Sequence, residues 1–216
     1  MKIITVLALV LLPVFAQAYT VFETDISQPY EIVPIEATPP IEHNYLGTLE
    51  EYPVMYEITS DKPFRFVAQV SQLAGSEAQP LSLLLVRKND RGGGVTELAR
   101  MNADPAEWTR HTDSKLGLSL LTSPQISEPV EPGSYRIEVS SPENVGDFLL
   151  SVGEEETEPG YFATLGSIRQ TQAYFGFGFF SLLKSSYVYY PIGIALLVFA
   201  IYKTWSYRHL IRRDAA

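Results

Sequence analysis

Side chains able to carry out acid–base or nucleophilic chemistry are scarce in this 216-residue chain, which has three histidines and no cysteine. The grouping that combines a base, an acid and a hydroxyl is His111, Asp113 and Ser114. A catalytic triad needs such groups to converge from separate elements of the fold. Because these three fall close together in sequence, we interpret them as one polar, solvated loop and predict a protein that is not an enzyme.

The stretch KNDRGGGV, residues 88–95, is the strongest candidate for an ion site, because Asn89 and Asp90 offer oxygen ligands beside glycines. A calcium loop requires further carboxylates at fixed offsets, and a phosphate-binding loop ends in Gly-Lys followed by Ser or Thr. Neither pattern is present in this sequence. We therefore predict a hairpin tip, no metal site and no cofactor.

Trp108, in the polar stretch DPAEWTRH, has two interpretations. An aromatic ring on a loop can stack on a ligand such as a sugar, which would make Trp108 part of a binding surface. In the alternative, the ring covers one end of a hydrophobic core.

The charge of the chain is unevenly distributed. Residues 19–160 carry 24 acidic and 9 basic side chains, a formal charge of −15, whereas residues 161–216 carry 6 basic and 1 acidic side chains, or +5. Binding to nucleic acid depends on clustered Lys and Arg that neutralise phosphates. The acidic body therefore excludes nucleic acid as an expected partner.

Alternation of apolar and polar residues dominates the middle of the chain. It is clear in PFRFVAQV, SYRIEVS and DFLLSV, and VMYEIT and LSLLLVR are further strand candidates. LSLLLVR is nearly all apolar, which predicts a strand paired on both sides. Turn-forming residues separate these stretches. Seven or eight short strands predict an all-β, antiparallel, jelly-roll-like β-sandwich over residues 45–153.

Two stretches of this region, YLGTLEEYPVMYEI and VEPGSYRIEVSSPENVGDFLLSVG, resemble the bacterial pre-peptidase C-terminal-like (PPC-like) β-sandwich. The residues that carry the resemblance are Gly47, Leu49, Tyr56, Pro132, Gly133, Tyr135, Val139, Asn144, Gly146, Phe148, Leu150 and Gly153. The resemblance implies a sandwich that acts as an accessory, non-catalytic module of a secreted protein. In this sequence no catalytic domain precedes it, so the client of such a module is not apparent in the chain.

The N-terminal residues 1–18 have the pattern of a secretory signal peptide. Lys2 is followed by an apolar run and then by Ala16-Gln17-Ala18, a small-residue cleavage pattern. The expected mature chain begins at Tyr19, outside the cytoplasm. Residues 19–44 are a Pro-rich lead-in, interpreted as an extended segment or an edge strand, and residues 154–160 are an acidic linker.

Residues 185–203 are predicted to form a single transmembrane helix. Eighteen uncharged residues, 185–202, would extend about 27 Å as a helix, close to the hydrocarbon thickness of a bilayer. Aromatic residues expected at the two membrane interfaces are Tyr187, Tyr189, Tyr190, Tyr202 and Trp205. The basic residues expected on the cytoplasmic side, in and before a tail at 204–216, are Lys203, Arg208, Arg212 and Arg213. These features predict a single-pass type I protein, most simply of a bacterial plasma membrane, with the body extracytoplasmic.

Residues 161–184, which we call the juxtamembrane segment, end in a Phe-rich stretch too short to cross a bilayer. In one interpretation Phe175, Phe177, Phe179 and Phe180 enter the outer leaflet. In a second they contact another membrane protein, and in a third the segment packs on the protein's own sandwich.

The expected function is that of a non-enzymatic, membrane-anchored accessory or scaffold module of the cell envelope. Its expected partners are the lipid bilayer and other envelope or membrane proteins. The alternative is a carbohydrate- or cell-wall-binding adhesion module, which would use loop aromatics such as Trp108.

Overall fold

The structure is a computed structural model that describes residues 19–24, 26, 28–35, 41–75, 81–89, 93–155 and 159–213. The predicted signal peptide, residues 1–18, lies outside the described residues. Within them the strands are β1 Val21–Glu23, β2 Ile32–Pro34, β3 His43–Glu50, β4 Val54–Ser60, β5 Phe64–Leu73, β6 Ser82–Lys88, β7 Val95–Met101, β8 Thr109–Asp113, β9 Leu118–Thr122, β10 Ile126–Val130, β11 Gly133–Ser140 and β12 Val145–Val152. The helices are α1 Tyr161–Tyr174 and α2 Ser186–Arg213, with short 3-10 helices at Pro105–Glu107 and Phe179–Lys184.

The strands form two sheets that face each other. The first sheet has the order β1-β3-β12-β5-β9-β8, with β10 also paired to β5, and the second has the order β2-β4-β11-β6-β7. The predicted all-β sandwich with one C-terminal apolar helix is therefore confirmed. The stretches predicted as strands all form strands, and β6, which contains LSLLLVR, is paired on both sides. The described residues form twelve strands rather than seven or eight, because the lead-in and the 109–130 region add short ones.

The sheets are mixed rather than purely antiparallel. β1 pairs with β3 and β2 pairs with β4, both in parallel, and the other described strand pairs are antiparallel. An isolated bridge between Ile41 and Glu155 is also parallel. The cause is that β1 to β4 alternate between the two sheets, so the chain returns to each sheet running in its earlier direction. Both lead-in strands lie at sheet edges, where Pro34, which has no backbone N–H, is tolerated.

The hairpin predicted for KNDRGGGV joins β6 to β7. The backbone N–H of Asn89 donates to the carbonyl of Gly94 at 2.9 Å, and the two strands pair in antiparallel register. Residues 90–92 lie outside the described part of the chain.

The main core lies between the two sheets. Its largest fully buried side chains are Tyr56, Phe66, Tyr135 and Phe148, which come from four different strands. The Tyr135 hydroxyl donates to the carbonyl of Glu131, which satisfies the polar end of a ring whose body is apolar. Tyr135 and Phe148, two of the residues behind the PPC-like resemblance, thus fill the core.

A second apolar cluster lies on the outer face of the first sheet. Leu46, Leu118, Leu120 and Leu149 contribute from that face, and the helical region after the sandwich covers them with residues that include Ile168 of α1. The first sheet is therefore covered on both faces over part of its area. The juxtamembrane segment packs on the protein's own sandwich, which is the third of its three interpretations.

Helix α2 contains one stretch, Ser186–Tyr207, that is long and apolar enough to span a membrane, with a mean hydropathy of 1.4. None of the 18-residue apolar window in that stretch is buried within the protein. A core helix of a soluble domain would bury one face against the sheets. The helix begins one residue after the predicted start of the span at Ser185 and continues without a break to Arg213.

Candidate functional site

The turn between β8 and β9 holds the start of α2. The carbonyl oxygens of three consecutive turn residues, 114–116, accept hydrogen bonds. The carbonyl of Ser114 accepts from the backbone N–H of Ser186 at 2.8 Å, and that of Lys115 accepts from the Ser185 hydroxyl at 2.6 Å. Leu116 accepts from the Gln172 side-chain amide at 2.6 Å. Ser185 and Gln172 are fully buried. We call these three hydrogen bonds and the backbone contact at Gly117, described next, the joint.

Gly117 allows the close approach at the joint. Its φ of +66° is in the left-handed region that favours glycine, and a Cβ built at this position would lie 2.7 Å from the carbonyl carbon of Lys184. The turn is shaped by Asp113, whose side chain accepts from the N–H of Leu116 at 2.9 Å and whose carbonyl accepts from the N–H of Gly117 at 2.8 Å. A glycine at this position therefore serves both the turn and the contact with the residue before the helix.

Helix α1 is connected at its C-terminal end to the 3-10 helix that precedes α2, and at its N-terminal end to the first turn of α2. Near its C-terminal end, Gln172 exchanges hydrogen bonds with Ser181: the Ser181 hydroxyl donates to Gln172 Oε1 at 2.7 Å. At its N-terminal end, the Tyr161 hydroxyl donates to the carbonyl of Tyr187 at 2.7 Å, and the two rings stack with centroids 6.0 Å apart. A 14-residue helix is about 21 Å long. Contact with residues close to Ser186 at both ends means that α1 lies across the base of α2 rather than extending away from it.

Tyr19, the expected first residue of the mature chain, ties the N-terminal lead-in to α1. Its hydroxyl and the Thr171 hydroxyl are 2.9 Å apart and both residues are buried. Burial raises the pKa of the Tyr19 phenol well above its usual value, so the ring stays neutral and hydrogen-bonded. Close by, the hydroxyls of Thr48 and Tyr174 are 2.6 Å apart, which connects β3 to the last residue of α1.

Beside the covered apolar area, the outer face of the first sheet carries a polar cavity of about 290 Å³. Its floor crosses several strands: Ser151 of β12 lies opposite both Asn44 and Gln69, and Ser71 of β5 lies opposite Thr122 of β9. Further polar residues that line it are Glu42, His111, Asp113, Lys115, Gln125 and Glu154, and Tyr19, Val67, Leu116, Leu120 and Leu149 also contribute to its wall. The cavity thus offers hydroxyls, amides and carboxylates on a rigid sheet.

The floor of this cavity is ordered by hydrogen bonds between side chains. The Ser71 and Thr122 hydroxyls are 2.9 Å apart, and Thr122 Oγ1 is 3.4 Å from His111 Nδ1. The Ser151 hydroxyl donates to Asn44 Oδ1 at 2.6 Å. Such a network is suited to holding a polar ligand by hydrogen bonds, because its groups are positioned before the ligand arrives.

His111 and Asp113 lie in a strand rather than in a loop, which corrects the sequence-based interpretation, although His111 is exposed to solvent as expected. His111 is on strand β8, and alternation along the strand directs His111 and Asp113 to the same face, toward the cavity. The loop interpretation was wrong because TRHTD pairs with β9 although it is polar throughout. No group of three or more metal-ligating side chains is found among the described residues.

Trp108 belongs to the core between the sheets. Its exposed fraction is 8%, and it packs with the main cluster next to the 3-10 helix Pro105–Glu107. The second of its two interpretations therefore describes the structure, and the ring is not available to stack on a ligand.

The aromatic residues predicted for the membrane interface fall into two groups. Tyr187 is buried against the sandwich, and Phe175 and Phe177 are partly buried against the same cluster, which corrects their assignment to a lipid-facing set. Their burial was missed because the apolar surface that covers them comes from strands distant in sequence. The exposed members are Phe179, Phe180, Tyr189, Tyr190, Tyr202 and Trp205.

The residues of the joint were not predicted. Gln172, Ser185 and Gly117 are polar or small, and no local motif distinguishes them. A signal for the surface they serve was present, since Phe148, Leu149 and Leu150 are consecutive apolar residues in β12 and all three are buried. A strand with both faces buried needs a layer on each side of its sheet.

No protein-family model matches this chain, and no curated protein matches it. Solved structures similar to it include the pre-peptidase C-terminal domain of collagenase from Bacillus anthracis, at 14% identity and a TM-score of 0.38, over 59% of this chain and 98% of that one. A second is the Yersinia pseudotuberculosis-derived mitogen, at 15% identity and a TM-score of 0.35, over 56% of this chain and 92% of that one. A third is Aeromonas hydrophila PliG, a periplasmic inhibitor of g-type lysozyme, at 12% identity and a TM-score of 0.35, over 62% of this chain and 98% of that one. The PPC-like resemblance stated above agrees with the first of these structures.

Proposed function

We propose that this protein is a non-enzymatic, single-pass membrane protein that presents its β-sandwich on the extracytoplasmic side as an interaction module. The observation that carries the proposal is the joint, where two turn carbonyls and Gly117 hold the start of the apolar helix α2 and a third turn carbonyl holds Gln172 of α1. A flexible tether would let the sandwich rotate freely above the membrane. The joint instead gives it one orientation relative to the span, which suits a scaffold that must meet partners in the same membrane.

The direction of insertion follows from charge. The body of the chain is acidic, and Lys203, Arg208, Arg212 and Arg213 lie at and beyond the far end of the apolar stretch. Positive residues flanking a span are retained in the cytoplasm. A signal peptide at residues 1–18 would export the sandwich in the same orientation.

The test is extraction of membranes with alkaline carbonate, comparing the full-length chain with a chain that stops after Tyr190, which keeps the contacts of Ser186 and Tyr187 with the rest of the protein. We expect the full-length protein to remain in the membrane pellet and the shortened chain to be released in a folded, soluble form. Release of the full-length protein would contradict the proposal. Retention of the shortened chain would show that α2 is not the anchor.

Binding of a glycan is a second candidate function, favoured by the polar cavity on the first sheet. Sugar hydroxyls pair well with carboxylates, amides and hydroxyls, and these are the groups that line the cavity. The site differs from the one expected from sequence, because Trp108 is buried and the cavity has no exposed aromatic platform among its lining residues.

A glycan-binding screen with the full-length protein in detergent tests this second function. If a glycan binds in the cavity, His111→Ala and Gln69→Ala should each weaken binding, by roughly fivefold or more for a lost hydrogen bond. Arg110→Ala is the matched control, since Arg110 is the neighbour of His111 on β8 and does not line the cavity. Equal loss in His111→Ala and Arg110→Ala, or no binding by the unmodified protein, would reject the cavity as a glycan site.

A further inference from the structure

The juxtamembrane segment has two faces, and its outer face carries large apolar side chains without cover from the sandwich. Phe162 in the first turn of α1 is 84% exposed, and Phe180 in the 3-10 helix is 81% exposed. Phe179 and Leu183 of the same 3-10 helix are also exposed. Soluble proteins rarely group exposed aromatic side chains in this way, and such a group marks an interaction surface.

The inner face of the same segment is already buried in contacts within the protein. Ile168, Thr171 and Gln172 of α1 and Ser181 of the 3-10 helix are buried against the first sheet or against one another. The segment therefore cannot rotate to bury Phe162 and Phe180 without breaking the joint. Another environment must accept these side chains.

The exposed group lies at the base of α2. Tyr161, the residue before Phe162, is hydrogen-bonded to the carbonyl of Tyr187 in the first turn of α2. The 3-10 helix ends at Lys184, and six residues of 3-10 helix rise about 12 Å, so Phe180 is within about 10 Å of the start of the span. The headgroup region of one leaflet is on the order of 5–8 Å thick. Because α1 lies across the base of α2, both parts of the group are at this level.

We propose that Phe162, Phe179, Phe180 and Leu183 form a lipid-binding shelf that enters the extracytoplasmic leaflet around the base of the span. This proposal deepens the proposed function and rests on α2 crossing the membrane. Leu183 and Lys184 come shortly before Tyr189, where the exposed residues of α2 begin, and Lys184 can direct its ammonium group toward lipid phosphates while its methylenes follow the apolar side chains. The shelf would fix the height and tilt of the sandwich, which a single helix leaves free to vary.

Because the chain has no cysteine, single cysteines can carry a nitroxide spin label for a direct test. The full-length protein is purified and reconstituted alone into phosphatidylcholine–phosphatidylglycerol vesicles, with a label at Phe162→Cys or Phe180→Cys. Leu196→Cys, on the exposed surface of α2, is the control for lipid, and Val95→Cys, exposed on edge strand β7, is the control for water. Collisions of the label with oxygen, which concentrates in lipid, are compared with collisions with a water-soluble nickel chelate.

We expect the labels at positions 162 and 180 to be more accessible to oxygen than to nickel, between the Leu196→Cys and Val95→Cys values and closer to the former. Nickel accessibility at 162 and 180 equal to that at 95, with position 196 in lipid, would overturn the shelf and leave the span intact. Shielding of 162 and 180 from both reagents would also overturn it, since a second copy of the chain would then cover the surface. If the label at position 196 is also accessible to nickel, α2 does not cross the membrane, and the proposed function itself is contradicted.

Discussion

Substitution of Gly117 by alanine tests how the sandwich is mounted on α2. Two effects combine at this position: a non-glycine residue at φ +66° costs about 1–2 kcal/mol, and the added Cβ would lie 2.7 Å from the carbonyl carbon and 2.9 Å from the carbonyl oxygen of Lys184. The backbone of Lys184 must then move away from the turn. The three hydrogen bonds of the joint, at about 0.5–1.5 kcal/mol each, are the interactions that such a movement breaks.

Gly93→Ala is a matched control, because Gly93 has φ +68° and no atom within 4 Å of an added Cβ. We expect Gly93→Ala to lower the free energy of unfolding by about 1–2 kcal/mol and Gly117→Ala by about 3–5 kcal/mol, from the same backbone cost plus the lost joint. Hydrogen exchange read by mass spectrometry on the full-length protein in detergent locates the effect. Gly117→Ala should increase exchange in α1 and the 3-10 helix, and Gly93→Ala should not. Equal destabilisation by the two variants, with unchanged hydrogen exchange in α1, would refute the claim that the joint holds α1 and the 3-10 helix against the sandwich.

Two further predictions concern interactions between distant parts of the chain. Tyr19→Phe should lower the free energy of unfolding, measured with denaturant, by about 1 kcal/mol. A double-mutant cycle with Thr171→Val should show a coupling energy of similar size, and additive effects would mean that the 2.9 Å contact between the two hydroxyls contributes nothing to stability. The hydrogen bond from Lys88, together with Arg136, lowers the pKa of Glu57 in the folded protein. The ionised carboxylate therefore stabilises the fold at pH values above the pKa of Glu57 in the unfolded chain, and this stabilisation is lost as pH falls below about 4 through the lowered pKa of the folded state. Stability measured from pH 6 to pH 3 should fall less steeply in Glu57→Gln than in the unmodified protein, and identical slopes would contradict the assignment.

The sandwich itself was predictable because its signals are local. Alternation in PFRFVAQV and SYRIEVS places one face of each strand in the core, and the structure has Phe66, Ala68 and Tyr135 buried there. The turn before β11 and the tip of the β6–β7 hairpin follow from glycine and proline, whose backbone preferences act within a few residues. The apolar helix is equally local, since length and composition define it.

The joint and the cavity were not predictable because they depend on residues far apart in sequence. Gln172 meets Leu116 across 56 positions, and Tyr19 meets Thr171 across 152. The polar strand β8 has no apolar face and forms because β9 offers an edge to pair with. The lead-in strands β1 and β2 run parallel to their partners β3 and β4 because the chain alternates between the two sheets, and composition does not reveal this alternation.

The orientation of the sandwich relative to the membrane is the central claim, and labelling of single cysteines in intact, right-side-out membrane vesicles tests it most directly. A membrane-impermeant maleimide is applied to vesicles that contain the full-length protein with either Lys62→Cys, in the exposed β4–β5 turn, or Ala216→Cys, at the end of the basic tail. We predict that Lys62→Cys is labelled at once and that Ala216→Cys is labelled only after the vesicles are permeabilised. The reverse pattern, or labelling of both positions without permeabilisation, would contradict the account.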